Sequence, residues 1–224
     1  MSLIKRNQSP QTGLAAPWLL LWLALAGSLL ALLGAGIGST GFESVLNARH
    51  DPLAWQIVMD IRLPRTAAAL LAGGLLGLAG AIAQGVFRNP LADPYLLGSA
   101  SGASLGVALA MAALGVSPFA LAGLARWGVT GAAFVGAVVA VVLTLVLAKG
   151  VQNTMRLLLA GVVVGVVLGA AASLVLLMNP DIMQAMQSFM LGSTAFAGWN
   201  ACALMLWVLL PTLALSWCLS RVLD

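Results

Sequence analysis

Long apolar runs separated by short polar stretches dominate the chain and predict membrane-spanning helices. The first run extends from Pro17 to Ile37. It is long enough to cross a bilayer and longer than the apolar core of a typical signal peptide, so we expect a retained first helix. The pattern predicts about six spans in total, and the later ones begin near Pro64, Pro94, Trp127, Arg156 and Trp199.

A polar stretch between the second and third runs interrupts the helical pattern. Pro90 and Pro94 each lack a backbone donor and disfavour helical geometry in the preceding residue. Asp93 before Pro94 is a restart signal, because Asp can cap a helix and Pro fits its first position. Arg88 and Asn89 crowd the same turn. Polar non-helical backbone between spans must lie in water, in protein or on a cavity, so we expect this hinge to take part in gating.

The loop from Gly38 to Ile61 is apolar enough at its end to form a short helix on the membrane surface. Pro64 is predicted to open the second span. Arg62 and Arg65 are three residues apart, so they would share a face at the mouth of that helix. Spacing alone leaves two interpretations open. It favours interfacial anchoring of the bundle over cationic contacts with a soluble partner.

Small residues recur at every fourth position in four successive predicted helices. Such rows let helix backbones approach closely in lipid, where apolar burial no longer drives association. Packing is therefore the favoured role of these glycines, and the chain is predicted to be an all-α, polytopic transmembrane bundle. The rows are Ala69, Gly73, Gly77, Ala81 and Gly85; Gly98, Gly102, Gly106 and Ala110; Gly128, Ala132, Gly136 and Ala140; and Gly161, Gly165, Gly169 and Ser173.

A short helix is expected after the fifth span. Asn179 can cap it, Pro180 can start it and Gly192 can stop it. Its methionines could bind a soft metal, but packing is favoured because neither Cys nor His stands beside them. The apolar residues predicted to share one face are Ile182, Met183, Met186, Phe189 and Met190.

Composition supports an integral membrane protein. Only 7% of the 224 residues are charged, against about 25% in soluble domains. The net charge of +4 is spread along the chain, so it is better interpreted as topology than as nucleic-acid binding. Cys202 and Cys218 fall on one predicted helix about 24 Å apart, beyond disulfide reach.

Basic residues show a modest bias that favours cytoplasmic termini. With both ends on that side, the cytoplasm receives more uncompensated cations than the opposite side. The cations assigned to the cytoplasmic side are Lys5, Arg6, Arg88, Lys149, Arg156 and Arg221.

The sequence lacks the motifs that several kinds of binding and catalysis require. No GxxxxGK[ST] loop for phosphate binding is found, and His50, the only histidine, has no ligand-spaced Cys or Glu, so no metal site is expected. No carboxylate falls inside a predicted span, whereas ion-coupled transport and intramembrane proteolysis usually need one. We therefore expect a passive transport pathway that a partner protein drives, and not an enzyme.

Three strings are specific enough to suggest a family: RLPR, AxxQGxFRNPLADPYLLGSASGASLG and RLLLAGVVVG. They resemble the FecCD family of ABC-importer permeases, from about Arg62 to the end of the chain. The resemblance implies the N-terminal part of a ten-helix type II importer permease, as one domain over 1–224. Such permeases move iron–siderophore complexes, haem or cobalamin across the bacterial inner membrane.

The resemblance also implies partners. Family members are homodimers in the membrane lipid, driven by a dimer of ABC ATPase subunits that hold ATP and Mg. A periplasmic substrate-binding protein delivers the metal-chelate ligand. The chain itself is expected to bind no cofactor.

Site residues carried over from the resemblance fall into two sets. Arg62 and Arg65 match the arginines that pair with acidic residues of the binding protein, which reverses the preference for anchoring. Met155 replaces a small hydroxyl residue common in the family, which affects the width of the gate. The residues matching the cytoplasmic gate are Asn89 and Leu91 in the hinge, and Thr154 and Met155 in the loop before Arg156.

The chain ends at Asp224, where family members continue into ATPase-coupling helices and a second set of spans. We therefore expect a fragment or a truncated product, and ATP-driven transport to fail if these residues are the whole protein. The alternative function is a non-transporting membrane scaffold or regulatory fragment.

Overall fold

The first apolar run forms a single long helix. The computed structural model describes residues 15–38, 41–42, 51–114 and 124–223. Helix α1 (Ala15–Gly36) confirms the first predicted span, and a two-residue antiparallel ladder joins β1 (Ile37–Gly38) to β2 (Gly41–Phe42). Predictions that rest on the N-terminal polar segment or on His50 lie outside the described residues.

The second span begins earlier than the sequence indicated. Helix α2 (Pro52–Ile57), a π-helical turn (Val58–Arg62) and α3 (Leu63–Phe87) form one continuous helix. The prediction that Pro64 opens this helix was wrong. The wide π turn directly before Pro64 accommodates the residue that has no backbone donor.

This continuous helix is longer than a membrane requires. It has 36 residues and so rises about 54 Å, against a hydrocarbon thickness of about 30 Å. Its charged residues, Asp60, Arg62 and Arg65, all lie in the N-terminal part. That part therefore extends beyond the hydrocarbon region.

The remaining predicted spans are also helical. Five segments of the described chain are long and apolar enough to cross a membrane. The sixth apolar helix is shorter, with 16 described residues. The all-α transmembrane class is thus confirmed, with these further elements: a 3₁₀ turn (Pro94–Leu97), α4 (Ser99–Leu114), α5 (Leu124–Ala148), α6 (Thr154–Met178), a 3₁₀ turn (Pro180–Ile182), α7 (Met183–Leu191) and α8 (Trp199–Leu223).

The long helices leave most of their apolar surface uncovered by other described residues. Only 6% of the span Trp199–Leu219 and 11% of Pro17–Gly36 is buried. Tryptophans 18, 22, 207 and 217 are all more than 60% exposed. Exposed apolar surface of this extent is typical of helices that face lipid or other membrane-spanning segments.

Contacts divide the described residues into two units. The first draws on Met1–Gly73 and Thr194–Trp207, and the second on Gly74–Ser193 and Val208–Asp224. The prediction that 1–224 is one domain stays a prediction, and each unit is described by itself.

In the second unit, α4, α5 and α6 run alternately between two buried clusters. One cluster joins the middle and end of α4 to the start of α5 and to α7. The other joins the end of α3, the residues after it, the end of α5 and the start of α6. We call the latter the hinge cluster; its buried members are Ala83, Phe87, Ala92, Ala148, Leu157 and Ala160.

The small-residue rows of α4, α5 and α6 form the contacts between these helices. A Cβ at Gly102 would meet the carbonyl oxygen of Gly136, and one at Gly106 would meet that of Ala132. A Cβ at Gly161 would meet the carbonyl oxygen of Leu96. The predicted close approach is confirmed for these three rows. The row on α3 differs, because nothing among the described residues lies within 4 Å of a Cβ at Gly73 or Gly77.

Helix α7 matches the sequence expectation only in part. Ile182, Ala185 and Met186 are buried against α4, while Met183 and Met190 are 48% and 68% exposed. The predicted apolar face therefore packs against α4 at Ile182 and Met186 and stays uncovered by described residues at Met183 and Met190. Asn179 was expected to cap the short helix that follows it. Its Nδ2 instead donates to Val175 O, in the last turn of α6, at 2.9 Å.

Candidate functional site

The hinge begins with a left-handed residue that ends α3. Arg88 has φ 47°, its N–H donates to Gly85 O at 3.2 Å, and Asn89 N–H donates to Gln84 O at 3.1 Å. This pair of bonds is a Schellman motif, which satisfies the last carbonyls of a helix. Gly usually occupies the left-handed position, but here it is held by an exposed arginine.

A tight turn follows and places Leu91 on the outside. Asn89 Oδ1 accepts from Leu91 N–H at 2.9 Å, and Ala92 N–H donates to Asn89 O at 3.0 Å. Pro90 occupies the second position of this turn, where its fixed φ is favourable. The turn buries Ala92 and leaves Leu91 88% exposed.

The predicted restart signal is confirmed in the next step of the hinge. Asp93 Oδ1 accepts from Tyr95 N–H at 2.7 Å, and Pro94 is the first residue of the 3₁₀ turn. Gly98 then adopts φ 77°, so α4 begins only at Ser99. The expectation of one helix from Pro94 onward was therefore wrong at Gly98.

A side chain from α5 fixes the end of this 3₁₀ turn. Thr144 is fully buried, and its Oγ1 donates to Leu97 O at 3.0 Å. In an apolar bundle, such a bond satisfies both the hydroxyl and a carbonyl that the broken helix leaves open.

Thr154 and Met155 occupy the first turn of α6 rather than the preceding loop. Asn153 caps this helix, because its Oδ1 accepts from Arg156 N–H at 3.1 Å. The loop therefore ends one residue before Thr154, which corrects the sequence assignment. Thr154 is exposed, and Met155 is 66% exposed.

The hinge cluster brings these two segments together. Phe87 and Ala92 lie on either side of the hinge turn, and both pack in one cluster with Ala148 and Leu157. Leu157 is fully buried and lies two residues after Met155. The hinge and the start of α6 therefore pack against the same buried cluster. Their roles as a gate stay a prediction.

An open groove of about 530 Å³ lies beside the hinge. Its walls come from the 3₁₀ turn and α4 on one side and from α6 on the other. Polar groups are few along it, and small and apolar residues predominate. The lining residues are Asp93, Tyr95, Leu96, Gly98, Ala100, Ser101, Gly161, Val162, Gly165 and Val166.

Arg62 and Arg65 lie in different local structures. Arg62 is the last residue of the π turn and is half-buried, whereas Arg65 lies in the first turn of α3 and is exposed. The two arginines therefore differ in burial, and their sharing of one helix face stays a prediction. Their role in docking stays a prediction.

The π turn frees a backbone carbonyl, and a tryptophan satisfies it. Leu63 N–H bonds to Val58 O, five residues back. Met59 O therefore lacks Leu63 as a donor, and Pro64, the next candidate, has no N–H. Trp199 Nε1–H donates to Met59 O at 3.0 Å.

A second side chain of α8 contacts the carbonyl of Pro64. Cys202 Sγ donates to Pro64 O at 3.2 Å, and Cys202 is buried. Sequence reasoning missed both Trp199 and Cys202 as partners of this segment. Pro64 was the available signal for Trp199, because a proline within a helix leaves a carbonyl of the preceding turn without its usual donor.

No metal site is apparent in the part of the chain that the structure describes. Nowhere among those residues do three or more His, Cys, Asp or Glu side chains gather at ligand distance.

Comparison with known proteins identifies the family. The model of the FecCD transport family matches residues 16–224. The chain belongs to the FecCD transport family. The family that the sequence motifs indicated is therefore confirmed.

Two relatives in this family carry transport names. The ferric enterobactin transport system permease protein FepD of Escherichia coli is 39% identical over 215 residues, covering 94% of this chain and 62% of the relative. The hemin transport system permease protein HmuU of Yersinia pestis is 36% identical over 203 residues, covering 88% and 59%. The chain thus spans about three fifths of the length of these FecCD relatives.

A solved structure supports the fold of the FecCD chain. It is described as an inward-facing conformation of a metal-chelate type ABC transporter and is 26% identical. The TM-score is 0.72, covering 91% of this chain and 61% of the other. The chain is therefore a multi-pass membrane protein of the ABC permease kind, and members of this FecCD family are permeases rather than enzymes.

Proposed function

We propose that the chain is a transmembrane permease subunit of an ABC importer in the bacterial inner membrane. It moves an iron–siderophore complex by alternating access, with haem and cobalamin as alternative cargoes. Two separate ATPase subunits hydrolyse ATP with Mg, a periplasmic binding protein delivers the ligand, and the permease works as a homodimer. Its N-terminus lies in the cytoplasm, as the distribution of basic residues favours.

This proposal rests mainly on one observation, which is that the two segments predicted to form the gate pack against the same cluster. The hinge turn and the first turn of α6 both rest on the hinge cluster. Leu91 and Met155 project from them with 88% and 66% exposure. Because buried apolar contacts are close-packed, a shift of α3 against α6 repacks the hinge cluster and changes the separation of the two segments.

The local geometry suits Arg65, and to a lesser degree Arg62, for docking the binding protein. Arg65 is exposed in the first turn of α3, on the part of the helix that exceeds the membrane thickness. Arg62 is half-buried within the π turn. We therefore propose that Arg65 directly contacts an acidic lobe of the binding protein. Arg62 contributes mainly to the positive electrostatic potential that attracts this lobe.

The choice of cargo rests on the relatives and on the character of the groove. FepD is named for ferric enterobactin and HmuU for hemin. Small and apolar residues line most of the groove, with Asp93, Tyr95 and Ser101 as polar groups. Such a wall makes few strong contacts, so a bulky chelate passes it without being trapped. This favours a large metal complex over a bare ion, which would need a dense set of polar ligands.

Spin labels at Leu91→Cys and Met155→Cys test the gate. Both sites are exposed and tolerate labels, while the native Cys202 and Cys218 are replaced by alanine. The labelled residues are placed in a permease of the full length of the FecCD relatives, with its ATPase and binding protein in nanodiscs. The label-to-label distance should then change when a non-hydrolysable ATP analogue is added. The measurement is electron–electron double resonance.

A pair of labels on a single helix provides the control. Leu159→Cys and Val166→Cys both lie exposed on α6, so their distance should stay constant in every nucleotide state. A hinge-to-α6 distance that also stays constant would contradict a moving gate and would favour the alternative of a non-transporting scaffold.

A further inference from the structure

Three cations are sequence neighbours of buried members of the hinge cluster. Arg88 directly follows the buried Phe87, Lys149 directly follows the buried Ala148, and Arg156 directly precedes the buried Leu157. All three cations are exposed. The packing of the cluster therefore gathers three positive charges at one end of the second unit.

This end of the unit coincides with the ends of three apolar helices. Helices α3, α5 and α6 each have 25 residues. A helix of that length rises about 37 Å, slightly more than the hydrocarbon thickness of about 30 Å. A helix of this length centred on the hydrocarbon region places the cations at its ends at the depth of lipid headgroups.

Two of the cations adopt a backbone conformation that only glycine adopts freely. Arg88 has φ 47° and Lys149 has φ 57°, and they are the only non-glycine residues with positive φ in the described chain. Lys149 also ends its helix in a Schellman motif, with Gly150 N–H donating to Leu145 O at 2.9 Å. Glycine would relieve the strain at both positions, so each basic side chain is present at a cost in backbone strain.

The helix dipole does not account for all three cations. Arg88 and Lys149 lie at helix C-termini, where a positive charge is favourable. Arg156 lies in the first turn of α6, where a positive charge is unfavourable. What the three share is their position next to buried members of the hinge cluster, and not their position in a helix.

Internal charge compensation at this end is small. The described acidic side chain there is Asp93, whose Oδ1 already accepts from Tyr95 N–H at 2.7 Å. Within the described part of the chain, the side chains of Arg88, Lys149 and Arg156 form no ion pair or hydrogen bond. They are therefore available to an external anion.

We propose that Arg88, Lys149 and Arg156 form a binding site for the phosphate groups of anionic phospholipids. Headgroup phosphates lie at this depth in every bilayer, and basic residues at the membrane boundary are attracted to anionic lipid. An occupied site would brace the hinge and the start of α6 through the hinge cluster. The proposal depends on membrane insertion and not on the cargo.

Lipid retention by the detergent-solubilised 224-residue chain tests the site. Native mass spectrometry compares phosphatidylglycerol with phosphatidylcholine of the same acyl chains. The wild-type chain should retain phosphatidylglycerol preferentially, and the preference should weaken as ionic strength rises. The triple variant R88Q/K149Q/R156Q should bind it more weakly, by about fivefold for each cation removed. The variant R65Q removes one cation at the other end of α3, away from the hinge cluster, and should lower the preference far less than the triple variant does.

A second variant keeps the test valid if the triple variant fails to fold. The substitutions Arg88→Gly and Lys149→Gly relieve the left-handed strain, so the melting temperature in phosphatidylcholine should hold or rise. The preference for phosphatidylglycerol should nevertheless fall.

Three outcomes would overturn the proposal. The first is equal retention of both lipids by the wild-type chain. The second is unchanged phosphatidylglycerol binding in the triple and glycine variants. The third is displacement of the lipid by inorganic phosphate but not by chloride of equal ionic strength, which would show a site for free anions.

Discussion

At the scale of single residues, the entry to α3 depends on one indole hydrogen bond. The π turn and Pro64 together leave Met59 O without an intrahelical donor, and Trp199 Nε1–H supplies the bond at 3.0 Å. An unsatisfied carbonyl near a membrane boundary costs free energy. Trp199 therefore stabilises the segment that carries Arg62 and Arg65.

Replacing Trp199 by Phe should remove this bond while retaining most of the apolar surface. We expect the free energy of unfolding to fall by about 1 kcal/mol, measured as a lower melting temperature in detergent. Trp207→Phe on the same helix is the matched control, because Trp207 is 80% exposed. Equal effects of the two substitutions would show that the bond to Met59 contributes nothing.

Residue-level prediction succeeded where side-chain chemistry is local. The Asp93–Pro94 signal gave the correct cap, because Asx capping depends only on neighbouring backbone. It failed at Pro64 and Asn179, where the deciding partners are backbone carbonyls whose availability depends on the helix register. The left-handed Arg88 and Lys149 carried no sequence signal, since glycine is the usual residue there.

At the scale of the helices, close backbone approach holds α4, α5 and α6 together. Gly102 and Gly136 face each other so closely that a Cβ on either would meet the carbonyl of the other. Their rows were predictable from the four-residue period alone. The α3 row has the same period but packs against none of the described residues at Gly73 and Gly77, so periodicity alone does not identify a contact.

Alanine substitution on α5 separates packing from helix propensity. Gly136→Ala would drive its Cβ into Gly102 and should destabilise the chain by about 2 kcal/mol or more. Gly131→Ala on the same helix has nothing described within 4 Å and should be neutral or stabilising by up to about 1 kcal/mol. Melting temperatures in one detergent give the comparison. A harmless Gly136→Ala would refute the close approach of α4 and α5.

At the scale of the whole molecule, composition and hydropathy were enough to predict an all-α membrane protein. The grouping of Asn89 and Leu91 with Thr154 and Met155 came from the family resemblance. Composition could not provide it, since the residues that join them, such as Phe87 and Leu157, are ordinary apolar residues in separate helices. Only the fold shows that they share one cluster.

The central claim is that this chain works as permease machinery between a binding protein and an ATPase. Ligand-stimulated ATP hydrolysis tests it most directly, in liposomes that hold the ATPase and these 224 residues within a permease of the full length of the FecCD relatives. We predict that ligand-loaded binding protein raises the hydrolysis rate and that R62E/R65E abolishes the rise. Acidic-to-Lys substitutions on the facing lobes of the binding protein should restore it. A rate that ignores the loaded binding protein, or a rise that survives R62E/R65E, would contradict the account.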